Sequence, residues 1–76
     1  MNTIEQITQE FNKLQEYGAT IEYNYNKDLL RHEFTVVTPN RTYAPNYIYD
    51  KRLSDEQYCS ACLRRIVPVY KKAILG

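Results

Sequence analysis

Cys59 and Cys62 stand three residues apart. That spacing lets two thiolates grip one metal ion, or lets a low-pKa thiolate be resolved by its neighbour. A tetrahedral zinc site needs about four ligands, and the chain has no second C-x-x-C and no H-x-x-x-H. His32, the one histidine, still leaves the set incomplete. Two chains pooling their cysteines would complete it, which gives a zinc-bridged homodimer. A redox pair normally opens a helix that follows a strand, whereas this pair falls well inside the helix inferred below. The third reading makes both cysteines small apolar residues of a buried helix stripe. His32 has no serine or aspartate around it in a recognisable pattern and reads as a polar residue of a strand near a hairpin. No glycine-rich phosphate loop exists: the glycines are Gly18 and Gly76. Asp55 and Glu56 are adjacent but not spaced for acid/base work. These residues imply neither an enzyme nor a cofactor.

Two other groups suit recognition. Arg64 and Lys71, and likewise Arg65 and Lys72, are seven apart, so on a helix each pair shares one row. Lys51 and Arg52 extend that basic stripe at its start. Such a face can neutralise phosphates, dock an acidic protein surface or simply be solvated. The tyrosines are the second group. Tyr23, Tyr25, Tyr43, Tyr47 and Tyr49 all fall in strand-like runs, where exposed rings can stack bases or anchor a protein interface. A continuous third strand would put Tyr43, Tyr47 and Tyr49 on one face. Tyr23 and Tyr25, in register with Ile21, are read as mostly core.

The elements that must carry these residues follow a simple order. Ile4, Ile7, Phe11 and Leu14 form a helical stripe over about 3–17. Asn2 or Thr3 is the candidate N-cap, Thr3 with Gln6 fits a capping box, and Gly18 suits a left-handed C-cap. Residues 19–26 and 30–38 alternate as half-buried strands, joined by a turn at Asn26-Lys27-Asp28. Pro39-Asn40 turns the chain into a third strand over about 42–49. Pro45 cannot donate to a ladder, so that strand is an edge or is broken there. Ser54 is the candidate N-cap of a last helix, with Asp55 and Glu56 in its first turn. Cys59, Cys62, Leu63, Ile66, Val69, Tyr70 and Ala73 make its buried stripe. Pro68 predicts a kink or break near Val67.

The pattern predicts one α+β domain over 1–76, α-β-β-β-α, with a three-stranded antiparallel meander and both helices on one face. At 76 residues such a domain buries roughly 60 to 65% of its chain's surface, too little for a deep enclosing pocket. The composition, 43% hydrophobic and 25% charged, is that of a folded soluble domain. No apolar run can span a membrane, and MNTIEQITQE lacks the basic and apolar regions of a signal peptide; the expected location is the cytoplasm. Residues 1–40 hold three Lys/Arg against six Asp/Glu, and residues 41–76 hold seven against three. A net charge of +1 therefore conceals a dipolar molecule. Many Asn, Lys and Tyr point to an AT-rich genome such as that of a phage or mobile element.

The element order resembles the double-stranded-RNA-binding domain. Ile21 to Asn26, then Glu33-Phe34-Thr35-Val36, then the last helix fall at similar intervals. That resemblance implies nucleic-acid binding through a Lys-rich motif opening the second helix. Here that place reads Ser54-Asp55-Glu56-Gln57, with Lys51-Arg52 before it. The leading expectation is a protein-binding module or inhibitor, encoded by a phage or mobile element and directed at a host protein or defence complex. It would act through Tyr43, Tyr47, Tyr49, Arg52, Arg64, Arg65, Lys71 and Lys72. Nucleic-acid binding by the basic stripe is the alternative. The zinc-bridged dimer through Cys59 and Cys62 is the second alternative.

Overall fold

Ile7, Phe11 and Leu14 recur on one side of the first helix, and all three are fully buried. In the computed structural model, which describes residues 3–76, that helix is α1, Thr3–Asn12. It tightens into a 3₁₀ segment, Lys13–Tyr17. Thr3 is the first helical residue rather than a cap, so it forms no capping box; the Asn2 alternative lies outside the described residues. Gly18 closes the segment at φ 85°. Its N–H donates to the Gln15 carbonyl at 3.1 Å and that of Ala19 to the Leu14 carbonyl at 3.3 Å, so glycine meets the left-handed cap as expected.

Strand β1, Thr20–Asn26, pairs antiparallel with β2, Arg31–Thr38, in the register Tyr23 to Phe34 and Tyr25 to His32. The Asn26 side chain accepts from the Asp28 and Leu29 N–H groups, both at 3.1 Å, an Asx turn. Leu30 completes the hairpin at φ 52°. The third run is broken as Pro45 demands. β3 is Arg41–Thr42 and β4 is Asn46–Tyr49, and both pair with β2. The spatial order is therefore a meander with a divided outer strand.

A short 3₁₀ turn, Asp50–Arg52, leads into α2, Glu56–Leu75. Asp55, not Ser54, is the N-cap: its Oδ1 accepts the Tyr58 N–H at 3.0 Å. The Ser54 hydroxyl bonds the Lys51 carbonyl instead. Pro68 does not break α2, which runs unbroken to Leu75. Pro68 is on the exposed side, where water can satisfy the carbonyl that its missing N–H leaves free.

Both helices cover the sheet face that carries Phe34, Val36 and Ile48. Those side chains meet Ile7, Phe11, Leu14 and Ile66 in one core. Phe11 and Phe34 stack at 4.6 Å, 9° from parallel, a pair worth about 0.5–1.5 kcal/mol beyond its buried area. No described helix is long and apolar enough to cross a membrane.

Candidate functional site

The open sheet face carries the side chains that alternate away from Phe34. Arg31 is its centre. The guanidinium carbon lies 3.7 Å over the Tyr47 ring, Nε donates to Glu33 at 2.8 Å, and a terminal nitrogen donates to the Tyr49 hydroxyl at 3.1 Å. Glu33 also accepts from Asn24 at 3.1 Å and Asn26 at 3.4 Å. The Arg31 bond, then the Asn24 bond, hold its carboxyl below the ordinary range. Tyr47 and Tyr49 thus form one side of a cation–π cluster.

Tyr43 does not join them. Its ring is on the helix side, edge-on to Tyr70 at 5.6 Å and packed against the core, with Arg41 at 4.6 Å. The cause is the break at Pro45. Tyr43 donates its N–H to Val36, one register step away from the Asn46–Phe34 ladder, and one step reverses the face.

Tyr23 and Tyr25 are on the covered side but are not core: they are 51% and 38% exposed, because the helices pack farther along the sheet, over Phe34 and Val36. Their hydroxyls join a hydrogen-bonded chain that no sequence spacing announces. The His32 Nε2 donates to Asp50 Oδ1 at 3.0 Å, since a carboxylate can only accept. The Tyr23 hydroxyl and Nδ1 of the same ring share a hydrogen bond of 2.6 Å, and Tyr25 donates to Asp50 Oδ2 at 2.6 Å. That last bond is the main cause of the raised Tyr25 pKa. Asp50 is therefore the partner of His32 that no sequence pattern marks. The four groups tie the turn before α2 to β1 and β2.

The basic residues separate. Arg64 borders a shallow hollow with Glu56, Gln57 and Ser60, and Lys71, two turns on, stands 5.6 Å from the Tyr17 ring. Arg52 lies 5.0 Å over Tyr58 and 4.0 Å from Asp55. Arg65 faces a different place, and Lys72 follows it on the same exposed row. That place is a groove of about 220 Å³ between α2 and β4. Asn46, Tyr47 and Ile48 form one side and Tyr58, Cys62, Arg65 and Val69 the other; buried Phe11 and Ile66 close the bottom. Asn46 hydrogen-bonds Tyr70 within it. Val69 is 54% and Tyr47 41% exposed.

Both cysteines are free. Cys59 is buried, with Sγ directed at the Arg52 carbonyl at 3.5 Å, and burial is the first cause of its raised pKa. Cys62 is half-buried on the groove. Burial, then Cys62, raises the Tyr58 hydroxyl as well. Among the described residues, no three His, Cys, Asp or Glu side chains converge as a metal site.

No family model, curated protein or solved structure matches the chain. The likeness to the double-stranded-RNA-binding domain therefore stays one of element order.

Proposed function

We propose that this domain is a protein-binding module whose contact surface is the groove between α2 and β4, with the basic row of Arg65 and Lys72 at its rim. The observation that carries the reading is the groove itself. It combines exposed Val69 with Tyr58, Tyr70 and one arginine beside the β4 edge at Tyr47, whose ring is turned to Arg31 on the other sheet face, and among the described residues no carboxylate lines it. Aromatic and arginine side chains around a desolvated hollow are the composition of protein hot spots. An inhibitor is the simplest agent of this kind: it needs a surface and no chemistry of its own. Of the residues first singled out, Arg65 and Lys72 belong to this surface, and Tyr47 borders it at the β4 edge with its ring on the open sheet face. Tyr43 supports it from the core side. Tyr49 holds Arg31 beneath Tyr47. Arg52, Arg64 and Lys71 lie elsewhere along α2 or at its start.

The nucleic-acid reading gains less. The helix that would enter a groove begins with Asp55 and Glu56, and Arg64 and Arg65 diverge around α2. A photo-cross-linking residue at position 69, in the cell that makes the protein, separates the classes. The expected result is one discrete adduct that protease destroys and nuclease leaves intact, absent when the cross-linker stands at Thr35 on the open sheet face. A nuclease-sensitive adduct, or none from position 69, overturns the reading.

A further inference from the structure

We infer that the groove takes an extended, acidic segment of the partner, added as a strand to the free edge of β4; this rests on the protein-binding reading above. The backbone register gives the first argument. The Asp50 N–H donates to the Leu30 carbonyl at 2.9 Å, and Ile48 faces His32 and Asn46 faces Phe34. Antiparallel pairs alternate in hydrogen bonding, so Asn46, Ile48 and Asp50 turn their backbone groups toward β2. The N–H groups of Tyr47 and Tyr49 and the C=O groups of Pro45 and Tyr47 then point outward. Among the described residues β4 pairs with no strand but β2, so this edge is a template for one more strand. Pro45 has no N–H and stands at an outward position, so it takes no donor from that template.

The second argument is what flanks the edge. An added strand sends alternate side chains toward the helix side, which here is the groove beside α2. A dry apolar cavity of about 150 Å³ holds a benzene-sized guest. The groove's volume of about 220 Å³ therefore admits one aromatic or branched aliphatic side chain. Main-chain bonds to an edge with side-chain pockets beside it are the grammar of strand addition.

The third argument is charge. Arg65 lines the groove and among the described residues no acid does, and Lys72 continues its row two turns later. A carboxylate two positions from the anchoring side chain shares its face of the added strand and meets Arg65 as that anchor enters. The site thus selects an apolar residue with Asp or Glu two positions away, in extended conformation.

The test is selection of a displayed library of random heptapeptides on the intact protein, followed by single N-methylation along the best ligand. The expected ligands carry an apolar residue two positions from Asp or Glu. N-methylation at alternate positions costs roughly tenfold in affinity, as losing one backbone bond should, and the intervening positions stay within about threefold. The Tyr47 and Tyr49 amides exchange more slowly on binding. Arg65→Glu abolishes binding of the acidic ligand and accepts one in which Lys replaces the acid. A ligand indifferent to N-methylation at every position, or bound as a helix, overturns strand addition and leaves the protein-binding reading standing. So does a protein adduct from position 69 with no peptide enriched. Loss of both the adduct and the peptides overturns both.

Discussion

Glu33 illustrates how single residues set the acid limit of this domain. Its carboxyl is depressed first by Arg31 and then by Asn24. A depressed carboxyl stabilises the fold above its unfolded value, about 4.3, and that contribution is lost as pH falls through the lower folded value. Urea midpoints of Glu33→Gln should therefore be lower than wild type at pH 7 and fall less steeply below about pH 4. Equal slopes for the two proteins would contradict the link. Phe34 carries a larger share. It is fully buried and stacked on Phe11, and Phe34→Ala should cost about 3–5 kcal/mol by chemical denaturation, most of what a domain this small possesses. Core residues such as Phe34 and Phe11 were legible because apolar spacing marks them. The Tyr23–His32–Asp50–Tyr25 chain was not. His32 and Asp50 are 18 apart in sequence, and only the β2–β4 register brings them together. The same holds for Tyr43, which one register step removed from Tyr47 and Tyr49.

At the scale of elements, the breakers were read correctly by position and less well by consequence. Pro45 divides the outer strand into β3 and β4 as its missing N–H requires. Pro68, equally visible, leaves α2 whole, since whether a proline breaks a helix depends on packing that holds its two halves in line. Ile66 below it is buried and Tyr70 above it packs on the core. Pro68→Ala should accordingly raise stability, by about 1–3 kcal/mol, by restoring the bond to the Arg64 carbonyl. A drop in midpoint would contradict this. Gly18→Ala tests the opposite end of the scale. No atom lies within 4 Å of the added Cβ, so the cost is conformational alone, about 1–2 kcal/mol at that positive φ. The N-cap also shifted by one residue, from Ser54 to Asp55. Either side chain can cap a helix, and the preceding 3₁₀ turn engages Ser54 first.

For the whole molecule, the order of elements was legible because each period, 3.6 or 2, is distinct and the turns between them are marked. The groove was not, because it arises where the edge strand meets the last helix, two elements whose lateral placement no periodicity encodes. Val69 shows the gap: its spacing assigned it to the buried stripe, yet it stands open on the groove. Substitution there should alter the surface and spare the core. Val69→Glu should stay within about 0.5 kcal/mol of wild-type stability and still abolish binding. The most direct measurement is titration of the selected acidic heptapeptide into wild type and Val69→Glu, with backbone amide shifts followed residue by residue. The account expects shifts concentrated on Tyr47, Tyr49, Arg65 and Val69 in wild type, and none in the folded variant. Shifts centred instead on Arg64 and Lys71, or a Val69→Glu protein that binds as wild type does, would contradict it.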